Sequence, residues 1–254
     1  MKSFLRLFLK WVIIPILSIC LLITLSLYYF KDRLCGLVLS EVNTYLKVPI
    51  QVSEMDLAFW GSFPNLSVDF ESLYMQESFQ NAKKTDTLFY TDRLRLSFNP
   101  LDVYHGKYHV KKMSVNPGKL VIRYDAGGKE NFDIFKPSPS DTKTDFHLSL
   151  QEVNIRGLRC VYDNASSKQY LSSTLANTRI KGDFSSDTFV ATAMGKMKLG
   201  RLKSDEITLL RNKNAEFNLA LDVNQLKGLF SLKNAALIIE NLPLPRMRRR
   251  KNHL

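Results

Sequence analysis

Cysteine is nearly missing from this chain, with three in 254 residues, Cys20, Cys35 and Cys160. Their spacing supports neither a disulfide framework nor a zinc cluster. Charge is missing from Trp11 to Phe30, a twenty-residue run without Asp, Glu, Lys or Arg. Small residues are missing where signal processing would need them. The run ends in Tyr28-Tyr29-Phe30 with no A-x-A pattern, and Ile19 rather than a small residue precedes Cys20, so a retained segment is expected over a cleaved leader. Past Pro49 no apolar periodicity of helical type runs for ten residues, which excludes a helical body.

What is present begins with the uncharged run itself. WVIIPILSICLLITLSLYYF matches the roughly 20 apolar residues that cross a hydrocarbon core. Trp11, Tyr28, Tyr29 and Phe30 stand at its ends as interfacial aromatics do, and Pro15 falls near the first turn, where its missing N–H costs least. Lys2, Arg6 and Lys10 precede it without an acid, whereas Lys31-Asp32-Arg33 follows it. The expectation is a cytoplasmic N-terminus over 1–10, a transmembrane anchor over 11–30 and an exported remainder.

The segment 31–47 reads as a second, amphipathic helix. Leu34, Leu37, Val38, Val42, Tyr45 and Leu46 form one stripe of a 3.6-residue period, and Pro49 stops it. Two roles fit that stripe, lying on the membrane or closing the end of a sheet, and its place just before the first strand favours the second. From Val48 the period becomes two. Leu66, Val68 and Phe70 alternate with Ser67, Asp69 and Glu71; Leu94, Leu96 and Phe98 with Arg93, Arg95 and Ser97; Phe217, Leu219, Leu221 and Val223 with Asn218, Ala220 and Asp222. Leu120, Ile122 and Tyr124, and Phe146, Leu148 and Leu150, follow the same rule. That pattern predicts a mainly β, antiparallel sheet with one apolar face over 48–242. Turns are expected at Phe63-Pro64-Asn65, Asn99-Pro100, Asn116-Pro117-Gly118 and Ala126-Gly127-Gly128, with a flexible loop from Lys136 to Asp145. Short helical stretches are expected near Leu101–His105 and Phe132–Phe135. A phase slip between Leu150 and Val153 predicts a bulge or turn at Gln151-Glu152.

The net charge is +12. Removing the +3 of Lys2, Arg6 and Lys10 and the +5 of Arg246, Arg248, Arg249, Arg250 and Lys251 leaves +4 for the rest. With the basic residues at the ends, nucleic acid is not an expected partner. The last stretch, 243–254, reads as a solvated basic tail. His105 and His109 have an H-x3-H spacing, but Gly106 lies between them and no Cys or carboxylate completes a set, so no metal site is expected. No serine sits in a G-x-S-x-G elbow, and Gly127-Gly128 is not followed by a helix. No catalytic, cofactor-binding or metal residue is named, and no enzyme is expected.

The order of these features resembles a family. An anchor, a helix ending in Leu46-Lys47-Val48-Pro49-Ile50, and then Met55-Asp56-Leu57-Ala58-Phe59-Trp60-Gly61-Ser62-Phe63-Pro64-Asn65-Leu66-Ser67-Val68 resemble the start of AsmA-family proteins of Gram-negative bacteria, a group that includes the TamB- and YhdP-like proteins. Thr91-Asp92-Arg93-Leu94-Arg95-Leu96 with Pro100-Leu101 is similar to the family's strand and helical turn. Asn116-Pro117-Gly118-Lys119-Leu120 and Asp125-Ala126-Gly127-Gly128-Lys129-Glu130-Asn131-Phe132-Asp133-Ile134 resemble its next hairpin. The resemblance covers roughly residues 1–240.

What the resemblance implies is a chorein-like lipid-transfer fold: an elongated, curved sheet projecting into the periplasm from a single-pass inner-membrane anchor. Its apolar groove would carry phospholipid acyl chains in transport between membranes or in outer-membrane assembly, without cofactor or catalysis. Family members run for several hundred residues more, so the chain is expected to hold the membrane-proximal part of a truncated or frame-shifted member. The alternative expectation is a non-enzymatic envelope scaffold that recruits partner proteins at a sheet edge.

Overall fold

The computed structural model describes residues 2–58, 64–79, 86–105, 108–136, 146–147, 150–224 and 226–240. One long helix precedes a large mixed sheet, so the protein is mainly β. The helix, α1 (Lys2–Thr44), leads to β1 (Glu54–Ala58), β2 (Leu66–Gln76), β3 (Thr87–Phe98) and a short helix α2 (Pro100–Tyr104). Next come β4 (Tyr108–Val115), β5 (Gly118–Tyr124), β6 (Phe146–His147) and β7 (Glu152–Asn164). The remainder is β8 (Gln169–Lys181), β9 (Thr188–Ser204), β10 (Ile207–Asn224) and β11 (Leu229–Ile239).

Two helices were expected before the sheet, and the structure has one. Lys31-Asp32-Arg33 continues the helix because it contains no breaker, and a lone Gly36 costs only about 1 kcal/mol relative to alanine. α1 ends at Thr44, earlier than the expected 47. Its last turn tightens through Tyr45 N–H to Val42 C=O and Leu46 N–H to Asn43 C=O, while the Asn43 side chain accepts from Ile50 N–H at 2.9 Å. Among the described residues no helix is long and apolar enough to cross a membrane. Within 11–30 the side chains at 16, 23, 26, 27 and 30 lie outside the described ones. The described large apolar residues of that run are exposed, and Trp11, Val12, Ile13 and Ile14 at four successive positions face four directions around the axis.

The C-terminal part of α1 covers one end of the sheet. Cys35, Val38 and Val42 join a cluster with Leu66, Val68, Phe70, Leu96, Phe98 and Val110. Of the two roles open to the stripe, the structure therefore takes the packing one.

The sheet runs β1-β2-β3-β4-β7-β8-β9-β10-β11. It is not wholly antiparallel as expected: β7 pairs in parallel with β4 and β5, and β6 in parallel with β4. The cause lies at Asn116-Pro117-Gly118, which does not reverse the chain. β4 and β5 occupy one lane, both antiparallel to β3, with a kink between them. Three contacts hold that kink. Gly118 sits where a Cβ would come within 2.2 Å of the Tyr90 carbonyl oxygen, so only glycine fits. Gly157 of β7 faces Pro117 in a left-handed conformation, φ 68°. The Thr91 hydroxyl donates to the Asn116 carbonyl oxygen at 2.9 Å. Because the lane continues forward, the chain must cross over from Tyr124 to Glu152 before β7 can pair beside it. The expected slip near Gln151-Glu152 is the start of β7, and the irregularity falls at Gly157 instead.

Other turns match the sequence. Asn99 caps α2 by accepting from Leu101 N–H. Asp125 Oδ1 accepts from Gly127 and Lys129 N–H, closing the Ala126-Gly127-Gly128 turn. Phe132–Phe135 is not helical but a turn leading to a bridge between Leu46 and Phe135. Phe63, residues 137–145 of the expected loop, and the tail 243–254 lie outside the described residues.

Candidate functional site

The two faces of the sheet follow from strand alternation and register. On one face, the pairs Val68↔Leu96, Phe70↔Leu94, Leu94↔Val115 and Val115↔Ile155 are apolar and continue to Ile180↔Ala193, Ala193↔Leu219 and Leu219↔Ala235. Bulges keep this face apolar where strict alternation fails. Ser72 and Asn212 take positive φ, and the β8/β9 register shifts at Ser172/Ser173 and Leu175/Asn177.

Cover over the apolar face is uneven. The packed clusters run from α1 and β2 across to Leu175 and Ile180 of β8 and to Phe184 just beyond it; on β9 and β10 Ala191, Leu199, Ala215 and Val223 are buried but belong to none of these clusters. On β10 and β11, Phe217, Leu219 and Leu221 are half-buried, and Leu232 and Leu237 are exposed, with no packed cluster including them. On this face Thr178 is 6% exposed, and its hydroxyl has no hydrogen-bond partner among the described residues.

The opposite face is polar. At the α1 end its charges are matched in register. Asp69 and Arg95 stand opposite each other, with two hydrogen bonds of 2.6 Å, and Glu71 pairs with Arg93 at 2.7 Å. Farther along, bases outnumber acids. Lys196 pairs with Glu216 at 2.7 Å and Arg179 reaches Glu152 at 3.9 Å. Arg156, Arg159, Lys198, Arg201, Lys203 and Arg211 make no ion pair among the described residues, and Arg201 stands directly opposite Arg211. The Asn154 amide, donating at 2.7 Å, holds the Glu152 carboxyl below the usual carboxylate range, with Lys112, Arg179 and Lys181 acting in the same direction.

The segment Asn131-Phe132-Asp133 has a structural task here. Asn131 is fully buried; its amide donates to Glu77 and to the Val121 carbonyl, and its oxygen accepts from Arg123 N–H. Glu77, 4% exposed, also meets Arg123 at 3.2 Å. Asp133 pairs with Lys47 at 2.6 Å, Lys47 N–H donates to the Ile134 carbonyl, and Lys136 donates to the Thr44 carbonyl at the end of α1. These contacts clamp the helix end to the crossover.

His105 is exposed beside the Leu101 carbonyl, and His109 lies on β4. Among the described residues no three His, Cys, Asp or Glu side chains form a metal-binding group. Burial pushes the Cys35 and Cys160 thiols up, away from the reactive thiolate. The basic surplus on the polar face is what sequence reasoning missed. The signal was in β7 to β10 taken strand by strand, and the sum over the chain hid it.

Comparison with known proteins gives no further constraint: no family model, no curated protein and no solved structure matches this chain.

Proposed function

We propose that this chain is an AsmA-like protein anchored in the inner membrane by residues 11–30, with its sheet in the periplasm. There the apolar face holds phospholipid acyl chains in transport between envelope membranes, without catalysis. One observation supports the reading: an apolar face continues over every lane of the sheet, yet beyond β8 it lies outside the packed clusters, with Phe217, Leu219 and Leu221 half-buried and Leu232 and Leu237 exposed. A hydrocarbon chain laid on the half-buried and exposed side chains of these lanes gains about 0.8 kcal/mol per buried CH₂ and needs no polar contact. The anchor rests on the uncharged, outward-facing apolar run of α1. The continuous helix links that run to the sheet, where Lys31 meets Asp56 at 2.9 Å.

Mass spectrometry of the full chain after mild extraction tests this reading. The expected result is stoichiometric phospholipid in the wild type and its loss in Leu219→Asp with the fold retained. A wild-type protein that repeatedly emerges lipid-free would overturn it. The scaffold reading also has an observation in its favour. β11 is an edge strand exposed at every position from Leu229 to Ile238, a template for strand addition. A stoichiometric protein partner captured without lipid, and lost with Ala235→Pro, would favour that reading.

A further inference from the structure

The polar face holds a second hollow that the apolar-face reading does not use. It is a shallow transverse groove of about 500 Å³, running across β7 to β11 between two rows of side chains. One row is Arg156, Asn177, Lys196, Glu216 and Ile238; the other is Asn154, Arg179, Met194, Asn218 and Ala236, each residue opposite the next in register. Five lanes give a length of about 19 Å, from four spacings of about 4.8 Å.

The chemistry changes along that length. At the β7–β8 end stand two arginines and two amides. Arg156 has no ion pair among the described residues, and Arg179 is held by Asn154 at 3.2 Å and Glu152 at 3.9 Å. At the β11 end the walls are Ala236 and Ile238, the latter 69% exposed, while Met194, 48% exposed, stands in the middle lane with Asn218 between it and Ala236. Lys196 in the middle is neutralised by Glu216. A groove that is cationic at one end and apolar at the other matches a molecule with an anionic head and an alkyl tail. Guanidinium groups favour a phosphate head, which they can grip with paired N–H donors.

We propose that this groove binds a single-chain amphiphile with a phosphate monoester head, the phosphate on Arg156 and Arg179 and the chain passing Met194 toward Ala236 and Ile238. The site lies on the opposite face from the acyl-chain surface proposed above, so either can fail without the other.

The test uses the full chain in zwitterionic-lipid nanodiscs, titrated with a fluorescent lysophosphatidic acid and with a monoacylglycerol of the same chain length. The phosphate amphiphile should bind at least tenfold more tightly than the neutral one. Arg156→Gln with Arg179→Gln should remove that preference, whereas Arg93→Gln, outside the groove, should leave it intact. Ile238→Ser should weaken the long-chain ligand more than a short-chain one. Leu219→Asp, on the other face, should leave the titration unchanged. Equal affinity for the two ligands, insensitivity to the double arginine variant, or tighter binding of a short single-stranded oligonucleotide than of the amphiphile would each overturn the proposal.

Discussion

Strands β2 and β3 and strands β9 and β10 are both antiparallel pairs with one apolar and one polar face, yet they are finished differently. Over β2 and β3 the apolar face lies under α1, with Val38, Val68 and Phe98 fully buried, and the polar face sets each arginine opposite a carboxylate. Over β9 and β10 the apolar face lies outside the packed clusters, with Ala191, Leu199, Ala215 and Val223 buried but Phe217, Leu219 and Leu221 only half-buried, and the polar face sets Arg201 against Arg211. Cross-strand like charges and uncovered apolar strands both cost stability. A single sheet that solves both problems fully at one end and only in part at the other concentrates its packing at the first end.

The largest test of that contrast is a pair of truncations. Phe98→Ala should cost about 3–5 kcal/mol in chemical denaturation, as for a fully buried aromatic, because α1 and β2 cannot collapse onto the space. Phe217→Ala, on a half-buried site outside the clusters, should cost less than half as much. Equal losses would break the comparison. Gly118→Ala comes next, at about 1–3 kcal/mol, because the added methyl meets backbone rather than a movable side chain. Asn131→Ala should cost about 1–3 kcal/mol by leaving Glu77 and the backbone groups of Val121 and Arg123 short of partners. Proteolysis within α1 should rise with it, because the clamp at Lys47 and Thr44 depends on the same crossover.

The smallest expected effect is acid-dependent. Lys31, hydrogen-bonded to Asp56, holds that carboxyl below its usual value. Its folded value is thus lower than the ordinary carboxylate value of about 3.9. The pair's contribution is complete above that ordinary value and is lost as pH falls through the lower, folded one. Denaturation of Lys31→Met across the acid range should show a shallower loss of stability below about pH 4 than the wild type. Identical acid limbs would remove Asp56 from the account, leaving the covered end held by packing alone.

Much of the covered end was legible in the sequence. The alternation in 66–70 and 94–98 gave the strands and their faces, and the stripe from Val38 to Leu46 gave the face of α1 that packs. The parallel pairing was not legible, because Asn116-Pro117-Gly118 has the composition of a reversal and only the contact of Gly118 with Tyr90 makes it a kink. Nor was the continuity of α1 through Lys31, where two helices were expected although nothing local breaks a helix. The transverse groove was hidden for a different reason. Its two rows unite residues from five strands between 154 and 238, a neighbourhood that register creates and no local motif announces. The motif Asn131-Phe132-Asp133 was legible as a feature but not as a task, since its partners Glu77 and Lys47 are far away in the chain.

The central claim, that acyl chains lie on the apolar face beyond β8, is tested most directly by photo-crosslinking from two neighbouring positions on β10. Leu221 and Asp222 point to opposite faces of one strand, and Asp222 pairs with Lys233 on the polar side. A photoreactive amino acid at 221 in the full chain, in its native membrane, should give phospholipid adducts, and the same group at 222 should give none. Adducts at 222 but not 221, or none at either, would contradict the account.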